Sequence, residues 1–313
     1  MTQRISGIHH VTAITSDGQK NIDFYSGLLG LRLVKVTVNF DDPQSYHLYY
    51  GDELGRPGTI MTFFVWPGAQ RGRPGSGQVT AISFSVPPDA LDYWRKRLET
   101  ATLAPTRFGE QGLQLTDPDG IQLEIVAGSK EDARTPWSGG SVPRQHAIRG
   151  FHGVSLSVEG YEHTADLLTQ ALGFKFEGED GNRFRFVGDA PHAAVVDVLC
   201  VPDGIRGTLG AGIIHHVAFR AADEEAQRRW RQRLVDQRQN VTPVIDRSYF
   251  HSIYFREPGG VLFEIATDGP GFTVDESPGS LGSALKLPAQ YEMARSQIEA
   301  TLPSLRLPTE STL

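Results

Sequence analysis

A chain of 313 residues with 39% hydrophobic and 21% charged residues is long enough for two or three domains with real cores, and too apolar to be a disordered tail. Its 30 Lys and Arg against 37 Asp and Glu leave a formal charge of −7, which argues against a nucleic-acid partner or an anionic membrane surface, since both need a basic field. The single Cys200 excludes an internal disulfide and any Cys-based zinc or iron–sulfur site within the chain. No apolar run reaches the roughly 18 residues of a membrane helix, and the start MTQRISGIHH lacks an apolar signal core, so a cytoplasmic protein is expected.

In chain order, HHVTAIT (His9–Thr15) reads as an alternating strand. Ser16 or Asp17 then caps a helix whose apolar residues are Ile22, Tyr25 and Leu29, with Gly30 where a C-terminal cap belongs. Short strands separated by turns follow to about residue 66, and Pro67–Gly77 is a Gly-rich loop. The plan restarts at TAISFSV (Thr80–Val86) and ends in DPDGIQLEI (Asp117–Ile125). Ser129–Gln145 is polar, rich in Pro and Gly and without period, so it reads as a linker. A third unit opens with FHGVSLSV (Phe151–Val158), and its QALGFKF (Gln170–Phe176) matches GLLGLRL (Gly27–Leu33). The fourth opens with HHVAFR (His215–Arg220), continues through a helix capped by Asp223 towards Leu234, and ends in EPGGVLFEI (Glu257–Ile265). After Thr267 the chain reads as loop to about Leu287, followed by a short helix over Gln290–Leu302.

The repetition predicts an α+β class built from four βαβββ modules in two domains, at about residues 5–66, 79–127, 150–200 and 212–267. Along the chain these form an N-terminal pair (1–128), a linker (129–149), a C-terminal pair (150–270) and a C-terminal extension (271–313).

Two adjacent His pairs, His9–His10 and His215–His216, open the first strands of modules one and four. Side chains alternate across a strand. In module four Val217 and Phe219 make an apolar face with His215, so His216 belongs to the open face; the same reasoning places His10 and Thr12 there. Glu264 points away from the apolar Val261, Phe263 and Ile265. If Pro258-Gly259-Gly260 is a three-residue hairpin loop, Tyr254 lies opposite Glu264. A carboxylate rarely occupies such a strand unless it is paired or bound to a metal. Two His and one carboxylate make the three-ligand set of a non-haem Fe(II) site with open positions. His10, His216 and Glu264 are the candidates, with His152 as rival for the first place because it occupies the same slot in module three. Glu124 repeats Glu264 140 residues earlier, without a His at its module's start, and reads as a remnant of the repeat or a solvated strand-end charge. His47, His146, His163 and His192 read as loop or solvated residues, and Arg247 taken alone as a surface charge.

The segments GIHHVT, YHLYYGDELGRPGTIMT, RGFHGVSLSV, GIIHHVAF and YFHSIYFREPGGVLFEIATDGPGFTVDE, spanning about residues 7–285, resemble the vicinal oxygen chelate superfamily. That group includes glyoxalase I, extradiol dioxygenases and antibiotic-resistance proteins. Within it the chain is most similar to hydroquinone ring-cleaving dioxygenases of the dichlorohydroquinone dioxygenase type. The resemblance implies that fold, metal ligands at His10 rather than His152, at His216 and at Glu264, and a supporting set at His9, Thr12, His215, Arg247 and Tyr254. Strict alternation disagrees in part, since it turns His9 and His215 away from the metal.

The implied activity is catabolic: Fe(II)-dependent oxygenation of a para-dihydroxybenzene by O2, with ring opening next to a hydroxylated carbon, and Mn(II) fits the same ligands. Tyr254 or a neighbouring His would move the proton and Arg247 would stabilise negative charge. The partners implied are a small aromatic substrate and O2, with a homo-oligomer compatible. Two other readings stand beside it. A glyoxalase-like isomerase or lyase uses a fourth protein ligand on a redox-silent metal, which only Glu124 or His152 could supply. A sequestering protein of the same fold binds an aromatic or drug without metal.

Overall fold

The computed structural model describes residues 4–105 and 107–308. The first module supplies strands β1 (Ile8–Thr15), β2 (Arg32–Asn39), β3 (Asp42–Gly51) and β4 (Ile60–Val65), and the second β5 (Gln78–Val86), β6 (Thr102–Leu103), β7 (Gly112–Thr116) and β8 (Gln122–Ala127). The third supplies β9 (Gly150–Val158), β10 (Lys175–Asp180), β11 (Arg183–Val187) and β12 (Val195–Cys200), and the fourth β13 (Ile214–Ala221), β14 (Ile245–Asp246), β15 (Phe250–Arg256) and β16 (Leu262–Pro270).

Among the described residues these strands form two eight-stranded sheets, ordered β14-β15-β16-β13-β1-β4-β3-β2 and β10-β11-β12-β9-β5-β8-β7-β6. Module one therefore joins module four, and module two joins module three, through the antiparallel seams β1–β13 and β5–β9. The sequence left open which first strand meets module four; it is β1. Each sheet thus draws on both halves of the chain.

Local chemistry explains the helices. Asp17 accepts the amides of Gln19 and Lys20, and starts α1 (Gly18–Ile22), which runs into a π-helical turn over Asp23–Leu28. Ile22, Tyr25 and Leu29 are buried in the core as their spacing requires. Gly30 follows at φ +72°, where a β-carbon would come 2.7 Å from the Val142 side chain. Short helices α2 (Leu91–Arg97) and α3 (Glu162–Asp166) occupy the same slot in modules two and three. In module four, Asp223 caps α4 (Glu224–Asp236), whose Ala226, Trp230 and Leu234 join the core of Phe255, Phe263 and Ile265.

The acidic residue of each repeated hairpin does structural work. Glu257 accepts the amides of Gly259 and Val261 and the Thr164 hydroxyl. Asp117 accepts the amides of Asp119 and Ile121 and the Tyr25 hydroxyl at 3.2 Å. Burial pushes the Asp117 carboxyl up from 3.8 to about 6. Between those values the folded state holds more protons than the unfolded one, so raising the pH through the window weakens the fold. Asp117→Asn should therefore remove about 2 kcal/mol of stability loss between about pH 4.5 and 7, measured as the difference in denaturation free energy between wild type and variant at both pH values.

After β16 the chain returns along the first sheet. Val36 bridges Leu285, and the Lys286 amide donates to Val36 O at 2.9 Å. Short helical turns over Ala289–Ala294 lead into α5 (Arg295–Thr301). The last residues of the expected extension, 309–313, lie outside the described residues.

Candidate metal centre

The seam between β1 and β13 places the His pairs. Its register runs Ile8↔Phe219, His10↔Ala218, Thr12↔His216 and Ala13↔Ile214. His9 and His215 are each skipped, so each is the extra residue of a β-bulge. A bulge breaks alternation locally, which is why two consecutive His can both serve one site. The second sheet repeats the device: in β5–β9, Ser83↔Gly153 and Phe84↔Phe151 skip His152, while Val79↔Leu156 and Ala81↔Ser155 skip Thr80. Glu264 enters through the parallel pair Ala218↔Glu264, and Tyr254 lies directly opposite it.

His10 Nε2 lies 3.2 Å and His216 Nε2 2.9 Å from Glu264 Oε2, and the two Nε2 atoms are 3.4 Å apart. All three side chains are buried, Glu264 completely. Glu264 Oε1 accepts from the Ser252 hydroxyl, whereas Oε2 has no hydrogen-bond donor among the described residues. The imidazole protons explain why. His9 Nε2 faces the Thr267 carbonyl at 3.0 Å and must donate to it. Burial and the neighbouring His10 push the His9 pKa far down, so its ring is neutral and Nδ1 is an acceptor. His10 Nδ1, 2.9 Å away, therefore carries the proton, and His10 Nε2 presents a lone pair. The His215–His216 Nδ1 contact at 2.8 Å lets His216 carry its proton the same way.

Burial likewise lowers His216, and it brings His215 down to about 3. Two imidazole lone pairs and an ionised carboxylate oxygen thus converge with no Lys or Arg paired to Glu264 among the described residues. Such a set calls for a cation. These donors, each oriented by a neighbour, fit a divalent metal with positions left open.

The centre opens into a cavity of about 280 Å³ whose walls include Phe40, Phe64, Trp66, Phe250 and Leu262. An aromatic of one ring fits such a volume, since benzene fills a cavity of about 150 Å³. Thr12, His215, Arg247 and Tyr254 also line it. Arg247, expected from sequence alone to be a surface charge, is only 19% exposed. It pairs with Asp41 at 3.1 Å, and its Nε donates to the Tyr254 hydroxyl at 3.2 Å.

The expectation for His47 is overturned as well. His47 belongs to neither a loop nor a solvated face; it sits on β3 and lines the cavity. The alternation in YHLYY carried the signal, because Leu48 and Tyr50 are core residues and put His47 and Tyr49 on the opposite face. His146, His163 and His192 are absent from the cavity lining.

The second sheet holds the counterpart without the ligands. Gly153 and Ala81 occupy the registers of His10 and His216. Glu124 is neither solvated nor free: it is buried, pairs with Arg107 and accepts from Ser83 at 2.7 Å. His152 lies 2.9 Å from Glu110 in that sheet. Neither Glu124 nor His152 reaches the first centre, so neither supplies a fourth ligand of the glyoxalase kind.

The family model for the Glyoxalase/Bleomycin resistance protein/Dioxygenase superfamily matches residues 7–125 and 150–265. A Bacillus subtilis (strain 168) protein named "Putative ring-cleaving dioxygenase MhqO" is 50% identical over 307 residues, covering 96% of this chain and 97% of the relative. The chlorohydroquinone/hydroquinone 1,2-dioxygenase of Sphingobium indicum is 37% identical over 315 residues, covering 96% and 97%. A crystal structure of a "putative dioxygenase" from Bacillus subtilis subsp. subtilis str. 168 superimposes with a TM-score of 0.94 at 48% identity, covering 97% of this chain and 99% of that one.

Proposed function

Because the chain belongs to the Glyoxalase/Bleomycin resistance protein/Dioxygenase superfamily and is a ring-cleaving dioxygenase within it, we propose that it opens the ring of a hydroquinone with O2, using Fe(II) held by His10, His216 and Glu264. The observation that carries this reading is the convergence of two Nε2 lone pairs and Glu264 Oε2 at a cavity sized for one aromatic ring. The name of the Sphingobium relative supports the hydroquinone class.

When bound there, a redox-active divalent ion supplies Lewis acidity and passes electron density between ring and O2. The chain's own residues do the rest. Phe40, Phe64, Trp66, Phe250 and Leu262 grip the ring and exclude water. Burial and nearby Glu264 raise the Tyr254 hydroxyl, so it stays protonated. Arg247 already donates to the Tyr254 oxygen, which leaves that hydroxyl proton to serve as a general acid in the cavity. The Arg247 guanidinium stabilises negative charge that develops on the substrate. His9 and His215 hold the Nδ1 protons of the two ligand imidazoles.

Anaerobic loading with Fe(II), followed by oxygen-electrode assays with hydroquinone, methylhydroquinone, chlorohydroquinones and catechol, tests the reading. Oxygen uptake with the para-diols is expected, and a lower rate with Mn(II). Strong preference for catechol contradicts the substrate class, and no uptake with any diol contradicts the reaction.

A further inference from the structure

A continuous row of side chains crosses the cavity side of the first sheet. Cross-strand pairing sets Tyr49 opposite Thr62, Thr62 opposite Thr12, and Thr12 opposite His216. His47 stands two residues before Tyr49 on β3 and reaches back to the row. Its Nε2 lies 2.8 Å from Thr62 Oγ1, and its Nδ1 lies 2.9 Å from the Tyr49 hydroxyl. Thr62 in turn donates to Thr12 Oγ1 at 2.9 Å. Tyr49, Thr62 and Thr12 are all buried.

From these contacts we infer that His47 and Tyr49 are positioning residues, which hold the Thr12 hydroxyl as a hydrogen-bond donor to an oxygen of the ligand in the cavity. The inference rests on the proposed function only for the identity of that oxygen.

The direction of the chain follows from proton counting. A threonine hydroxyl has one proton. Thr62 gives its proton to Thr12, so it can only accept from His47 Nε2. Burial, with His10 and His216 nearby, keeps the His47 ring neutral, and its Nδ1 then has only a lone pair. The Tyr49 hydroxyl, raised by burial and so protonated, donates to that lone pair. The chain runs Tyr49 to His47 to Thr62 to Thr12. Thr12 accepts at its oxygen and donates to no group among the described residues, while its side chain lines the cavity.

Three buried polar side chains and a half-buried His47 are costly where Phe and Val would fill the same space. A polarised chain with its last proton unspent beside His216 has a use for that arrangement: it offers a donor whose orientation is fixed before the ligand arrives. The His47 ring also packs, tilted, against Tyr49 and Phe64 with centroids 4.1 Å and 4.5 Å away, which restricts its ring plane.

Two measurements on the full chain test this. In Fe(II)-loaded protein, Thr12→Val and His47→Phe should each lower kcat roughly tenfold, with KM moving less than about threefold and iron content unchanged. Their combination should lose no more than either alone, because both break one chain. His47→Gln, whose amide can donate to Thr62, should recover part of the rate. Additive losses, reduced iron content in His47→Phe, or no recovery by Gln overturn the inference. Independently of turnover, 15N-histidine NMR of the metal-free protein should find the His47 proton on Nε2. A proton on Nδ1 reverses the chain, makes Thr12 an acceptor and overturns the inference even in an active enzyme. If no hydroquinone is turned over, the proposed function fails, and the tautomer still decides the role of His47.

Discussion

Glu264→Gln should abolish tight Fe(II) binding and lower turnover by about a thousandfold or more, since it removes the only anionic ligand of a site worth several kcal/mol to the reaction. The variant keeps the shape of the side chain, and Gln can still meet Ser252, so the fold should survive. Metal-free Glu264→Gln should be at least as resistant to heat as metal-free wild type. The reason is that the wild-type carboxylate is fully buried and its Oε2 lacks a donor, a cost that a neutral amide reduces. Added Fe(II) should raise the melting temperature of wild type and leave the variant unmoved. Metal analysis and melting curves with and without Fe(II) check both halves. A variant that retains one iron per chain removes Glu264 from the ligand set.

The second large effect concerns stability. Lys35 is completely buried at the end of the cavity row, opposite Tyr49 in the register. Its Nζ pairs with Asp275 and Glu276 and donates to Phe272 O at 3.2 Å, while the Tyr249 ring lies 4.9 Å away. The Tyr249 hydroxyl donates to Asp275 at 3.0 Å. This cluster pins the segment after β16 against β2. Lys35→Met leaves the buried Glu276 carboxylate without its cation and should cost about 3–5 kcal/mol. Replacing Glu276 by Met as well should restore most of that, because a buried ion pair exchanged for apolar side chains is often neutral. Denaturant midpoints of wild type, single and double variants decide the point. A single-variant loss below about 1 kcal/mol would mean that the cluster is solvated rather than buried.

Much of this was legible in local pattern. The acid-Pro-Gly hairpins marked the module ends, and counting back through the second of them placed Tyr254 opposite Glu264, as its register has it. The caps at Asp17 and Asp223 lay in the letters because capping is a contact over two or three residues. What was not legible depends on pairing between distant strands. The bulges at His9 and His215 arise from the fit of β1 to β13, and a one-residue offset is invisible in either strand alone. The pairing of module one with module four is non-local for the same reason. The face that His47 occupies was readable from the alternation in YHLYY, but its contact with Thr62, on another strand, was not. Lys35 reads as an ordinary strand residue until the segment bearing Asp275 and Glu276 folds over it.

The most direct test of the metal centre is a crystal structure of the Fe(II)-loaded protein with anomalous data collected on both sides of the iron edge. The predicted result is one iron peak per chain, about 2 Å from His10 Nε2, His216 Nε2 and a Glu264 oxygen. Iron bound elsewhere, or a density map in which these three side chains turn away from the metal, would contradict it.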